Sequence, residues 1–113
     1  MTDLSVAVVD WSAAGKPTPA RPSADAIWIG VCTAGGEVQH YCRTRAEAEA
    51  LLRILLAEGR WWIGFDFPMG YPAGFAQRLT GRAEASAVWH WLEARIADGP
   101  DNANNRFAVA EAM

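Results

Sequence analysis

Residues 37–67 read EVQHYCRTRAEAEALLRILLAEGRWWIGFDF, and this stretch decides the fold. Its first seven residues, Glu37–Arg43, alternate polar and apolar side chains, the period of a strand with one solvated face. Thr44 opens a helix, because Thr44 and Glu47 make a capping box in which each side chain satisfies a free backbone amide. Ala48, Leu51, Leu52, Leu55 and Leu56 recur at helical spacing, with Glu49 and Arg53 one turn apart on the outer face. Gly59 closes the helix at its C′ position. Arg60–Phe67 is the next strand, stopped by Pro68. Strand, helix, strand implies a parallel crossover, which is right-handed in nearly all proteins.

Toward the N-terminus, Leu4–Asp10 (LSVAVVD) is a short run rich in β-branched residues and closed by an acid, the pattern of a buried strand. The following stretch, WSAAGKPTPARPSAD, carries Pro17, Pro19 and Pro22, which forbid regular structure and predict a loop or flexible flap. Its Gly15-Lys16 lacks the earlier glycine of a phosphate-binding P-loop. Ala26–Thr33 is the second strand, and Gly35-Gly36 supplies the positive-φ positions of a tight hairpin into Glu37–Arg43. A turn centred there sets Cys32 opposite Gln39. Cys32, His40 and Cys42 lack the paired Cys-x-x-Cys spacing of a zinc set, so the two cysteines read as free thiols of a reducing compartment.

Toward the C-terminus, Gly70, Pro72 and Gly74 make a rigid turn before a short helix, Gly74–Thr80. A longer helix, Glu84–Ala97, has Ala85, Val88, Trp89, Leu92 and Ile96 as its buried stripe and ends at Asp98-Gly99-Pro100. Trp91 falls outside that stripe, so a covering surface is expected, either a missing C-terminal portion or a second copy in a homodimer. The last stretch, DNANNRFAVAEAM, is a polar turn leading into a helical pattern with no closing cap. The chain is therefore expected to stop short of its natural domain.

A chain of 113 residues suits one small domain, 1–113, built on one core. A hydrophobic content of 51% with 20% charged residues describes a folded protein rather than a disordered one. Ten Lys plus Arg against thirteen Asp plus Glu leave a net charge of −3. That argues against a broad electrostatic footprint on duplex nucleic acid, whose affinity comes mostly from neutralising phosphates. It leaves room for a nuclease in which a metal supplies the positive charge locally. No apolar run approaches the ~20 residues of a membrane span. The start, MTDLSVAVVD, lacks the basic region of a signal peptide, so a cytoplasmic location is expected.

The candidate chemistry lies in two aspartates. The first strand ends V-V-D-W-S and the fourth reads G-F-D-F-P. In an open α/β sheet, ligands gather beyond the carboxyl ends of parallel strands. If those strands are neighbours, Asp10 and Asp66 project into one space despite their distance in sequence. Two carboxylates that close repel unless a cation sits between them, and Mg²⁺ or Mn²⁺ suits such an all-oxygen site. Spacing alone also permits the fourth strand beside the third, which would separate the aspartates. Glu47, in the first turn of the crossover helix, lies at the same end of the sheet. Ser12 reads as a phosphate contact or as a group bonded to its own backbone in a turn. Asn105 and Arg106, with Asn102 and Asn104, form an amide-rich cluster that fits either a capped turn or a substrate-binding lining.

An aspartate ending strand one, an antiparallel pair, a crossover helix with an early glutamate and an aspartate on strand four resemble the ribonuclease-H-like superfamily. VVDWSA with GFDFPMGYP, and the later WHWLEARIADGPDNANNRF, look like an uncharacterised group of predicted ribonuclease-H-like nucleases. The resemblance implies an α/β fold with a mixed sheet of order 3-2-1-4, a crossover helix and C-terminal helices. It implies a metal-dependent nuclease or other phosphodiester hydrolase. Asp10 and Asp66 would be its metal ligands, Glu47 a third catalytic acid, and nucleic acid or a phosphorylated small molecule its partner. The superfamily's fifth strand and late acid-bearing helix are not recognisable, which again implies a truncated fold. Two other readings share the sheet: a non-catalytic ligand-binding or assembly module, and an actin-like or sugar-kinase-like phosphotransferase. The latter expects a tight glycine-bearing hairpin after the first aspartate, where this chain has prolines.

Overall fold

The computed structural model describes residues 3–113, and the chain divides into two compact units. The first comprises the chain through Asp66 together with Gly99–Ala103, and the second comprises Phe67–Asp98 with Asn104–Met113.

The first unit is a four-stranded mixed sheet backed by one helix. Its strands are β1 (Leu4–Asp10), β2 (Ile27–Thr33), β3 (Gly36–Cys42) and β4 (Arg60–Phe65), and its helix is α1 (Arg45–Leu55). The order is β3-β2-β1-β4. β1 and β2 are antiparallel, β2 and β3 are antiparallel, and β4 runs parallel to β1. Of the two placements that spacing allowed for the fourth strand, the one beside β1 is therefore realised, in register Val9 opposite Phe65.

The core lies between one face of the sheet and α1. Ala7 and Val9, Ile27, Ile29 and Val31, and Cys42 alternate inward along their strands. All of these but Ala7 form one cluster with Ala48 and Leu52 of the helix, with Leu51, Leu55, Leu56, Trp61 and Ile63 packed around it. Of the adjacent tryptophans, Trp61 is the one that joins this core, while Trp62 on the opposite face is 69% exposed beside Val8 at 61%.

The capping box forms with one adjustment. Thr44 Oγ1 accepts the Glu47 N–H at 3.1 Å, but Glu47 Oε2 accepts the N–H of Arg43 at 3.2 Å, one residue ahead of the cap. Arg53 and Glu49 pair at 2.9 Å on the outer face. The helix ends at Leu55 with Leu56 as its cap, so Gly59, with φ of 84°, serves the turn into β4 and not the C′ position expected of it.

Two further expectations are corrected. The β2–β3 turn is Ala34-Gly35, not Gly35-Gly36, because Thr33 pairs with Gly36 and Gly36 alone takes a positive φ, 120°. Cys32 consequently faces Glu37, not Gln39, and both cysteines are free thiols. The proline-bearing stretch is irregular, as its sequence requires, but it is tied down and is no free flap. Thr18 N–H donates to Arg43 O at 3.0 Å and Arg43 Nε donates to Thr18 O at 2.6 Å. The Tyr41 hydroxyl lies 2.6 Å from Pro19 O and 3.0 Å from Thr18 Oγ1.

The second unit holds α2 (Phe75–Thr80), α3 (Ala85–Arg95) and α4 (Arg106–Glu111). Ala76, Val88 and Val109 are its buried residues. Tyr71 stacks on Phe75 with ring centroids 5.5 Å apart. The expected stripe of the long helix holds at Val88, and in part at Ala85 and Leu92. Trp89 and Ile96 are exposed, and Trp91, placed outside the stripe by periodicity, is half-buried. Helical period alone locates a face, but a hairpin of two short helices covers only part of it. Among the described residues, no helix is long and apolar enough to cross a membrane.

Candidate functional site

The parallel pairing of β1 with β4 determines where the aspartates fall. Asp10 is the last residue of β1, and Asp66 directly follows Phe65, the last of β4. Because Val9 and Phe65 are register partners, the two acids end neighbouring strands at their carboxyl ends, where an α/β sheet presents ligand-binding groups. Both residues are exposed. The Asp66 carboxylate accepts the Trp11 N–H through both oxygens, at 3.1 and 3.2 Å. That bond orients Asp66 toward the residue after Asp10 and uses one donor. Each carboxylate oxygen offers about two acceptor sites, so capacity remains for a cation or further donors.

The chain after Asp10 is held by a buried arginine that sequence reasoning passed over. Arg45 is the first residue of α1, and its side chain turns inward. Its Nη1 donates to the carbonyls of Ser12 (3.1 Å) and Ala14 (2.8 Å), and its Nη2 donates to Asn102 O at 2.7 Å. Asn102, 2% exposed, completes the arrangement: its Oδ1 accepts the Arg45 N–H at 2.7 Å, and its Nδ2 donates to Lys16 O and Arg43 O, each at 3.1 Å. A buried guanidinium is costly unless its donors are met, and here backbone carbonyls meet them. Arg45 and Asn102 thereby fix the Trp11–Lys16 segment on the end of α1. Asn102 takes φ of 71°, the one non-glycine residue with a positive value among those described, and asparagine tolerates that conformation better than most. Arginine at a first helical position and an isolated asparagine in a turn carry no distinctive sequence signal. Only the partners, 57 positions apart, reveal the function of each.

The remaining sequence candidates divide by role. Glu47 is exposed and engaged in the capping box. Among the described residues, no three His, Cys, Asp or Glu side chains gather closely enough to hold a metal, so Glu47 does not form a triad with the aspartates. Ser12 Oγ accepts the Ala14 N–H at 3.2 Å, the local turn bond, while its carbonyl receives Arg45. Asn105 belongs to the second unit, where its Oδ1 accepts Ala97 N–H at 2.8 Å and its Nδ2 donates to Arg95 O at 2.8 Å, closing the end of α3. Arg106 stacks over Phe107 at 4.8 Å. Cys42, the last residue of β3, is buried in the core with Ala48 and Leu52, and burial first, then the nearby Glu47 charge, pushes its thiol above the ordinary range.

Comparison with protein-family models, with curated proteins and with solved structures finds no match to this chain.

Proposed function

We propose that Asp10 and Asp66 hold a divalent cation, Mg²⁺ or Mn²⁺, and that the chain is a metal-dependent phosphodiester hydrolase of the ribonuclease-H-like kind. The observation that carries this reading is the parallel β1–β4 register, which ends two adjacent strands in carboxylates. Two carboxylates are the donor set Mg²⁺ commonly takes from a protein, with water and substrate phosphate completing its octahedron. Bound there, the cation would supply Lewis acidity and an activated water. The chain's own part is to present anionic oxygens on a rigid sheet edge. The Trp11 amide orients Asp66, and Arg45 with Asn102 keeps the segment after Asp10 in place.

The test is thermal unfolding in Mn²⁺ and Mg²⁺, paired with cleavage of single-stranded and hybrid nucleic acid. Saturating cation, at a hundredfold above its Kd, should stabilise the native state by about 2.7 kcal/mol. Asp10→Asn and Asp66→Asn should each remove that gain together with cleavage. A wild-type melting temperature indifferent to both ions would overturn the metal assignment. A metal shift without hydrolysis would leave a ligand-binding or assembly module, a reading to which the exposed Val8 and Trp62 on the open sheet face lend support.

A further inference from the structure

The second unit contains a groove of about 560 Å³ between the end of α2 and one face of α3, within the size range of small-molecule sites. Its chemistry differs from that of the aspartate edge. Arg82, His90 and Arg95 contribute cationic or protonatable groups, and Leu79 and Trp91 contribute an apolar wall. Among the described residues, no carboxylate lines it.

The helix explains the arrangement. Ala87, Trp91 and Arg95 follow at intervals of four and form one stripe. Arg95 lies over the Trp91 ring at 4.0 Å, and its Nη1 donates to Trp91 O at 3.0 Å, which fixes the guanidinium and leaves most of its five N–H donors unspent on that bond. Ala87, one turn earlier, puts only a methyl group beside the indole. Across the groove, Arg82 follows α2, and Thr80 Oγ1 accepts its backbone N–H at 3.1 Å. Arg82 pairs with Glu84 at 3.3 Å and His90 lies 3.6 Å from Glu93, but all four side chains are well exposed. Pairs so exposed hold weakly and yield to a stronger anion.

We propose that this groove binds a nucleoside phosphate, with the base against Leu79 and the part of the Trp91 indole that Arg95 leaves open, and the phosphate between Arg82 and Arg95. Guanidinium forks match phosphate oxygens in charge and geometry, and charge-assisted bonds of this kind exceed neutral ones. The indole separates this ligand from a simple anion, because inorganic phosphate has no flat apolar body to lay on a tryptophan. The proposal does not rest on the aspartate pair, since every residue in it belongs to the second unit.

Calorimetric titration of the whole chain in EDTA, which keeps any metal site out of the measurement, tests it with AMP, adenosine, inorganic phosphate and a short oligodeoxyadenylate. AMP is expected to bind about tenfold or more tightly than either phosphate or adenosine, since each of these offers half of the contacts. Trp91→Leu should weaken AMP about tenfold, and Arg82→Gln should weaken it and flatten its salt dependence. Circular dichroism verifies each variant's fold. If Trp91→Leu fails to fold, Arg82→Gln, a change at a largely exposed side chain, decides alone. Tighter binding of the oligomer than of AMP identifies single-stranded nucleic acid as the source, and equal binding identifies the free nucleotide; both uphold the groove. Phosphate binding as tightly as AMP, or variants that bind AMP like the wild type, would overturn the proposal.

Discussion

Asn102→Ala should cost the first unit about 3–5 kcal/mol. The substitution removes the Oδ1 acceptor of the buried Arg45 N–H and the Nδ2 donor to Lys16 O and Arg43 O. Leaving one buried backbone donor without its acceptor costs about 1–3 kcal/mol, and each of the other two bonds contributes about 0.5–1.5 kcal/mol. Lys16 is exposed, so water replaces the amide there and the lower figure applies. Arg43 O keeps its bond from Thr18 N–H, which again favours the lower figure. Alanine must further adopt φ near 71°, a left-handed conformation that costs about 1 kcal/mol or more. Asn102→Gly isolates that last contribution, because glycine loses the same side-chain bonds but accepts the backbone. The glycine variant should therefore be more stable than the alanine variant by about 1 kcal/mol. Equilibrium unfolding in urea, followed by tryptophan fluorescence, measures both, with the midpoint moving and the slope unchanged. Against a total stability of ~5–15 kcal/mol, the alanine loss is large. A loss below about 1 kcal/mol, or alanine and glycine variants of equal stability, would refute the assigned role of Asn102.

Thr44→Ala removes the acceptor of the Glu47 N–H and should cost about 0.5–2 kcal/mol in the same unfolding experiment, whereas Thr44→Ser should cost far less. Thiol titration at pH 8 should modify exposed Cys32 quickly and Cys42 only at the rate of unfolding; equal rates would contradict the burial of Cys42. The raised Cys42 pKa means that the folded state favours the neutral thiol. Its stabilising contribution is complete below the unfolded thiol pKa of about 8.5 and is lost as pH rises through the higher folded value. Wild type should thus lose stability in mildly alkaline solution more steeply than Cys42→Ala.

How far the sequence revealed this molecule depends on the range of each interaction. The capping box and the leucine stripe of α1 are local patterns with a fixed period, and they form close to where the residues predicted them, whereas the strand β3 forms without the expected alternation, since only Cys42 is buried and Val38 is 53% exposed. The side of the sheet on which β4 docks is a long-range choice. Periodicity left two placements, and resemblance to the ribonuclease-H-like order favoured the one observed. The hairpin turn falls one residue earlier than expected, which shifts the strand pairing by two, because two adjacent glycines offered the positive φ and only Gly36 took it. Periodicity makes the long helix too apolar: Trp89 fits the helical stripe yet is exposed, while Trp91, off the stripe, is half-buried and carries Arg95 over its ring, a stacking no hydrophobic period records. Arg45 and Asn102 were the least legible. Each is ordinary in its local context, and their significance arises from bonds that span the sequence.

The chain leaves the first unit after Asp66, returns to it for Gly99–Ala103, and leaves again. The sheet unit is therefore discontinuous, and its boundaries cannot be reproduced by a single cut. A proteolytic fragment ending at Asp66 would retain every strand and the crossover helix but lose the amide that meets Arg45, leaving a guanidinium without one of its carbonyl acceptors. Such a fragment is a poor surrogate for the sheet in the intact chain, whereas a circularly permuted chain that keeps residues 99–103 covalently linked would preserve it.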